Sequence, residues 1–328
     1  GQSSNDVIPT AIHVSAVLEV SETLIPASQH LVDVIENKAI EVKSYCKTGR
    51  THLMDAMPIR LDQSLLGWSD QLSQNIELIE KVLGTVKKLA LGGTAVGTGI
   101  NTHAKFSARF AENLSTDTGV KFSSVDNFFP LMGSQDSAVA LSGQLKTLAV
   151  TLMKISNDLR WMNSGPMSGL GEITLKPLQP GSSIMPGKVN PVIPEATAMV
   201  AAEVIGNDSA ITIAGQSGNF ELNVMLPLIA WNLLSSINLL SNGTRLLADK
   251  AIRNFTVNES NLKKALHKNP ILVTALNPII GYDKAAEIAK KAYLQSRPII
   301  DVAVEETNIT RDELTKILDP IKLTKGGL

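Results

Sequence analysis

Apolar residues recur every three or four positions over long stretches of the chain, which is the pattern of helices with one buried face. Five such stripes run through residues 24–42, 65–86, 138–162, 194–213 and 226–240. The fourth, after Pro194, is rich in Ala and Gly, which suits close helix packing. Stripes of this length predict helices at or above the usual globular limit of about 20 residues.

The long stripes are separated by connectors rich in Gly, Pro and Ser, at residues 49–58, 92–102, 164–191 and 215–223. From Thr256 onward the helical patterns shorten and prolines interrupt them. We therefore predict an all-α protein, with a long helical bundle carrying the active-site loops in residues 1–255 and a small helical domain in residues 256–328. One chain is not expected to bury five long stripes, so we also expect other subunits to complete the bundle.

The amino-acid composition excludes several classes of function, although it says less about the fold. The 328 residues hold 30 Lys and Arg against 31 Asp and Glu, a formal net charge of −1, which argues against nucleic-acid or polybasic membrane partners. The single cysteine, Cys46, excludes an intramolecular disulfide and any multi-cysteine metal cluster. The composition fits a soluble protein of a reducing compartment.

The most unusual segment is 181–191, GSSIMPGKVNP, which combines hydroxyls, a lysine, an amide, glycines and prolines. It is too polar for a core and too apolar for a solvated linker. Glycines at 181 and 187 could let it close over a ligand with Ser182 and Lys188. The alternative is an ordinary connection between helices.

A second candidate is His52, which lies between Thr51 and Asp55 in a turn led by Gly49. A histidine titrates near neutral pH and can exchange a proton there, although a lone histidine is more often structural. Asp6 and Glu195 read individually as helix caps or solvated charges. The patterns of dinucleotide-binding, P-loop, zinc-protease and serine-hydrolase sites are missing from the sequence, and no spacing proposes a metal site or a cofactor.

These segments together resemble the fumarase/aspartase superfamily. Residues 181–191 are similar to its most specific motif, and the form with Gly187 looks like class II fumarase. Further blocks that resemble this family, in the family's order, are GQSSNDV at 1–7, GRTH at 49–52, LGGTAVGTGIN at 91–101, GND at 206–208, GNFELNV at 218–224 and LVTALNPIIGYDKAAEI at 272–288. The resemblance covers the whole chain.

Three details favour fumarase over aspartase. Aspartases of the superfamily carry Ala in place of Gly187, Gln in place of His52 and a GQLQLNV-like block at residues 218–224. The chain departs from the family pattern at Met54, where Gln is usual, and at Met167, where many members have Arg. Aspartate ammonia-lyase stays an alternative, as does a helical scaffold without activity, although the chain keeps the three residues that such a scaffold would be free to lose.

The resemblance implies reversible hydration of fumarate to L-malate, a step of the tricarboxylic acid cycle, with neither metal nor cofactor. It implies Ser182 as catalytic base, His52 as the group that handles the water-side proton, Glu195 as its partner, and Lys188 as the cation that stabilises the aci-carboxylate. The substrate-binding residues that it implies are Ser3, Ser4, Asn5, Thr51, Ser183, Lys188, Val189 and Asn190.

The same resemblance implies a homotetramer whose active sites are shared between subunits, located in the cytoplasm, or in the mitochondrial matrix if the source is eukaryotic. It also implies a further N-terminal region with Thr-, Asn- and His-rich substrate motifs. Because the sequence opens at Gly1 without such a region, we expect the 328-residue chain to be inactive on its own.

Overall fold

The computed structural model describes residues 1 and 3–326 and confirms a mostly helical fold; Gln2, in the block at 1–7, lies outside the described residues. Two units divide the chain. The first comprises Gly1–Val34, Ser69–Arg160 and Leu178–Ala251, and the second comprises Ile35–Trp68, Trp161–Pro177 and the residues from Ile252 onward. The second unit thus contains the described part of 256–328, and the predicted boundary at 255/256 stays a prediction.

Helices make up most of both units. Over the described residues they are α1 Ser4–Glu19, α2 Ile25–Val42, α3 Leu61–Val86, α4 Phe106–Thr118, α5 Phe129–Gly133, α6 Asp136–Met162, α7 Val192–Gly215, α8 Leu226–Leu246, α9 Glu259–Lys268, α10 Asn277–Ile280, α11 Tyr282–Gln295, α12 Ile299–Glu306, α13 Arg311–Ile317 and α14 Pro320–Leu323. Two π-helical turns, Val20–Leu24 and Leu247–Ile252, and one 3-10 turn, Pro270–Leu276, extend them.

Within residues 1 and 3–326, strands occur in three small antiparallel pairs. They are β1 Cys46–Thr51 with β2 Met54–Arg60, β3 Ile173–Thr174 with β6 Thr256–Val257, and β4 Gly218–Asn219 with β5 Leu222–Asn223. The first pair was predicted as a turn, and the structure corrects this to a hairpin. Local helical periodicity is absent there, and the alternation is too short to reveal strands.

The predicted stripes are buried, which confirms four of the five helical faces. The positions that repeat along α6 and α3, among them Leu145, Leu152, Leu72 and Ile79, are all inaccessible within one chain. The expectation that these stripes need other subunits for their burial is therefore wrong. Each stripe is covered by neighbouring elements of its own chain, and α3 and α6 are joined by the Asn75 amide, which donates to the Thr151 hydroxyl at 2.9 Å.

The fifth helix, α7, is confirmed but its buried face differs from the prediction. Of the positions in the predicted stripe, Val204 is buried, but Met199 and Ile213 are 70% and 59% exposed, and the buried face also includes Ala201 and Ile211. A helix that is apolar on nearly every side has no periodicity that identifies its inward face.

Buried polar side chains fix how the long helices of the first unit align. Asp208 on α7 accepts hydrogen bonds from the Ser142 hydroxyl (2.8 Å) and the Lys146 ammonium (2.5 Å) of α6. The neighbouring Asn207 donates to the Ser236 hydroxyl of α8 at 3.1 Å. Sliding one helix along another would leave these buried groups unpaired, so they specify the register.

In the part of the chain that the structure describes, one helical run is long and apolar enough to cross a membrane, by length and composition alone. It is Ser4–Val42, and 44% of its most apolar window is buried in the fold. Its buried residues include Val17, Val20, Leu24 and Leu31. Because a core helix of a soluble protein has the same properties, the run is weak evidence for a membrane span.

Candidate active site

The loop between β3 and α7 holds five of the predicted site residues: Ser182, Ser183, Lys188, Val189 and Asn190. The Ser182 N–H donates to the Lys188 carbonyl at 3.0 Å, and the Lys188 N–H donates to the Met185 carbonyl at 3.2 Å. These bonds fold residues 182–188 into a closed turn. Gly187 occupies φ +82°, a left-handed conformation in which any Cβ is strained, so glycine suits this position.

Within this turn the Ser182 hydroxyl oxygen accepts two backbone N–H groups. They come from Met185 at 3.2 Å and Ile184 at 3.4 Å. Donors aimed at an oxygen stabilise negative charge on it, which is what a serine needs to act as a base. Lys188 donates to the side-chain oxygen of Asn190 at 2.5 Å, so the lysine and the amide form one polar cluster.

The remaining residues of the loop face solvent. Ser183 and Val189 are exposed, and Ile184 is 83% exposed. Asn190 is half-buried and its carbonyl accepts the Val192 N–H at the start of α7. Glu195 lies in the first turn of α7, half-buried, with its N–H bonded to the Pro191 carbonyl at 3.1 Å.

A second group of predicted residues forms the start of α1. Ser3 is its N-cap and its hydroxyl accepts the Asn5 N–H at 3.2 Å, while Ser4, the first helical residue, is exposed. The Asn5 amide donates to the Ala95 carbonyl at 2.8 Å. This bond joins the predicted substrate donors to the glycine-rich loop at residues 91–101.

Asp6 fixes this arrangement. The side chain is fully buried and one oxygen accepts the N–H groups of Gly92 (3.0 Å) and Thr94 (2.9 Å), while the other accepts the Ser3 N–H at 3.1 Å. The expected helix-capping role is therefore confirmed, since Ser3 and Asp6 form a reciprocal capping box. The link to the loop was not predicted, because partners 86 and 88 residues away leave no local signal.

His52 lies at the tip of the hairpin formed by β1 and β2. His52 and Leu53 occupy φ +55° and +60°, and Thr51 pairs with Met54 around them. Two central residues with positive φ are typical of the type I′ turn that closes two-residue hairpins. Such backbone costs about 1–3 kcal/mol per non-glycine residue and is concentrated at functional sites. The hairpin leaves Thr51 and His52 exposed to solvent.

Two buried groups hold the hairpin in place. Glu172, 3% exposed, accepts from the Lys47 ammonium and, at 2.6 Å, from the Arg50 guanidinium. The buried Asn269 amide donates to the Ala56 carbonyl of β2 at 2.8 Å. Sequence reasoning missed Glu172 and Asn269; the only local signal was a carboxylate in the otherwise apolar segment 170–173.

Strand β1 also requires a glycine. A Cβ at Gly49 would lie 2.5 Å from the Met57 carbonyl oxygen, at the bulge where the strand register shifts. Any other residue would push the two strands apart. Met54, one of the two departures from the family pattern, faces solvent on β2, and Met167, the other, is 92% exposed.

Two other titratable side chains, those of His13 and Cys46, have pKa values that burial shifts. Burial lowers the pKa of His13, whose Nδ1–H donates to the Lys88 carbonyl at 2.9 Å. Burial raises the pKa of the Cys46 thiol to about 11, so this cysteine is not a thiolate nucleophile at neutral pH. Among the described residues no three His, Cys, Asp or Glu side chains converge to hold a metal ion.

The predicted residues are divided between the two units. Thr51 and His52 belong to the second unit, and the other predicted site residues belong to the first. The roles assigned to them individually, and the pairing of Glu195 with His52, stay predictions.

Comparison with known proteins shows which family and which relatives this chain is similar to. Residues 1–206 match the family described as "Lyase", and residues 272–325 match "Fumarase C C-terminus". "Fumarate hydratase class II 2" of Pseudomonas aeruginosa is 68% identical over all of this chain and 72% of that protein. "Fumarate hydratase class II" of Xylella fastidiosa (strain Temecula1) is 57% identical over all of this chain and 69% of that protein.

A solved structure extends the likeness to three dimensions. The class II fumarase of Schistosoma mansoni superposes with a TM-score of 0.95 at 36% sequence identity. The match covers 98% of this chain and 71% of that chain.

Proposed function

The chain belongs to the class II fumarase family, and on that premise we propose that it is a lyase that catalyses the reversible hydration of fumarate to L-malate. The observation that most strongly supports this proposal is the 68% identity to a class II fumarate hydratase over the whole chain. The turn at 182–188 supports it, since it aims two N–H groups at the Ser182 oxygen.

In the direction from malate to fumarate, Ser182 removes a weakly acidic C–H proton next to a carboxylate. Its alkoxide form is stabilised by the N–H groups of Ile184 and Met185 and by nearby positive charge. Removing the proton leaves an aci-carboxylate, a dianion at one end of the substrate. The electron pair then forms the double bond as the hydroxyl leaves with a proton.

Lys188 and Asn190 hold the carboxylate that gains charge. Their mutual hydrogen bond pre-aligns an ammonium and an amide in the loop that carries Ser182. The other donors of a small dianion are the residues Ser3, Ser4, Asn5, Thr51, Ser183 and Val189. The Asn5 amide and the Ser3 cap are fixed by the loop at 91–101, which supports a rigid donor set.

His52 moves the proton on the water side, directly or through one bound water, and Glu195 orients it. The strained turn at His52 and Leu53 supports this role, because backbone strain is retained where the surroundings demand it. The charged cluster of Lys47, Arg50 and Glu172 supports it too, since it anchors the strand that carries His52.

We further propose a homotetramer, in which subunits share active sites. The support is three large apolar side chains exposed on two long helices of the first unit: Met199 and Ile213 on α7, and Trp231 on α8, which is 75% exposed. Exposed apolar groups on long helices are candidates for burial against another subunit. A cytoplasmic location, or the mitochondrial matrix in a eukaryote, fits a chain whose one cysteine, Cys46, is free.

The test is fumarate absorbance followed with the protein as expressed from its gene. Ser182→Ala should lower turnover by about three orders of magnitude or more with the helical circular-dichroism spectrum unchanged, because it removes the base. Ser209→Ala, an exposed hydroxyl on α7 that donates to the Ile205 carbonyl, is the matched control and should keep normal turnover.

A second pair of variants tests the histidine. His52→Asn should slow turnover and flatten one limb of the pH–rate profile, whereas the exposed His103→Asn should leave both unchanged. Normal turnover in Ser182→Ala would place the base elsewhere, and an unchanged pH profile in His52→Asn would remove that residue from the mechanism.

A further inference from the structure

A cleft of about 510 Å³ lies within the second unit, walled by α9 and by the segments that form α12, α13 and α14. Its floor and walls are largely apolar, formed by Leu266, Leu272, Pro298, Ile299, Leu318 and Pro320. Four of these, the three leucines and Ile299, are themselves buried core residues. The volume falls within the range of about 300–1,000 Å³ typical of small-molecule sites.

The rim of this cleft carries an excess of positive charge. Lys263, Lys316 and Lys322 line it, all exposed, together with the imidazole of His267. The one carboxylate in the lining, Asp319, already accepts the Ile321 N–H at 3.0 Å as the cap of α14. Lys263 also pairs with the Glu259 carboxylate at 2.6 Å, so Lys316 and Lys322 are the two rim ammonium groups that oppose Asp319.

We propose that this cleft binds a small amphipathic anion, a single carboxylate on an apolar body. The apolar walls remove the body from water, and the lysines attract the head group. Fumarate and malate do not fit this description, since each is a dianion with no apolar segment.

The cleft is separate from the proposed catalytic residues in its composition. None of its lining residues is among those assigned to substrate binding or proton transfer. Binding there is consequently expected whether or not the chain hydrates fumarate, and the two proposals fail independently.

Isothermal titration calorimetry with octanoate tests the proposal on the gene-encoded protein. We expect saturable binding of octanoate, with octylamine and 1-octanol at least about tenfold weaker because they lack the negative head group. Lys316→Glu combined with Lys322→Glu should weaken octanoate by about tenfold or more, since both charges at the rim reverse. The matched control, Lys43→Glu with Lys290→Glu, reverses two exposed lysines that do not line the cleft and should bind normally.

A steric variant separates this site from non-specific adsorption. Thr315 lines the cleft and is exposed, so Thr315→Trp should fill the space without entering the core, and octanoate binding should be lost. Absence of saturable octanoate binding would overturn the proposal. Unchanged binding in both the charge-reversed and the Thr315→Trp proteins would overturn it as well, because the ligand would then bind elsewhere.

Discussion

The buried carboxylate of Asp6 offers the sharpest test of how the fold holds the start of α1, where Ser3, Ser4 and Asn5 are proposed to bind substrate. Asp6→Ala removes the acceptor of three backbone N–H groups, those of Ser3, Gly92 and Thr94. The donors at Gly92 and Thr94 are in buried residues, so water does not readily replace the carboxylate there. The Ser3 donor, at the helix end, is half-buried and more easily solvated.

The expected cost follows from these two buried donors. A hydrogen bond to a charged group contributes about 1.5–3 kcal/mol, and an orphaned buried donor loses its solvation as well. With partial relaxation of the loop, Asp6→Ala should lower the free energy of unfolding by about 3–5 kcal/mol. Asp6→Asn can keep one oxygen on Gly92 and Thr94 and lose the Ser3 bond, so its cost should be nearer about 1 kcal/mol.

The assay is thermal unfolding followed by circular dichroism, together with steady-state fumarate hydration. Because the positions of Ser3 and Asn5 depend on Asp6, KM for fumarate should be lowest in the wild type, higher in Asp6→Asn and highest in Asp6→Ala. Asp33→Ala, an exposed carboxylate on α2 that accepts from Gln29, is the control and should change stability by no more than about 0.5 kcal/mol. If the free energy of unfolding of Asp6→Ala lies within about 1 kcal/mol of the wild-type value, the proposed anchoring is refuted.

Three further expectations follow from other parts of the molecule. Burial lowers the pKa of His13 below its ordinary 6.5. Below about pH 6.5 the unfolded chain therefore binds more protons than the folded chain does. The free energy of unfolding is consequently at its full value above that pH and decreases as the pH drops. The urea midpoint should therefore fall more between pH 7.5 and 5.5 in the wild type than in His13→Gln, and equal falls would contradict this. The double variant Met199→Glu with Ile213→Glu should reduce the mass measured by light scattering, because it places charge at the proposed subunit interface. The control Ile40→Glu, at an exposed position on α2, should leave the mass unchanged. An unchanged mass in the double variant would show that α7 is not part of a subunit interface. Ammonia offered with fumarate should give negligible aspartate, because His52 and Gly187 follow the fumarase pattern, and aspartate formed at a rate comparable to malate would favour aspartase instead.

The sequence by itself determined the helical class, four buried faces and the loop that carries Ser182 and Lys188. Helical periodicity is a local property, since residues three and four apart share a face whatever the helix packs against. The loop stood out because its composition suits neither a core nor a linker. Recognition of the family followed from the order of its motifs along the chain, which needs no three-dimensional information.

The tertiary structure decided what depends on partners far apart in sequence. It alone showed that the stripes of α3 and α6 are buried within one chain, and that α7 exposes Met199 and Ile213. It alone joined Asp6 to the loop at 91–101 and Glu172 to the hairpin that presents His52. A buried carboxylate must be paired, yet the identity of its partner depends on which distant segments packing brings to it, and no local pattern records that.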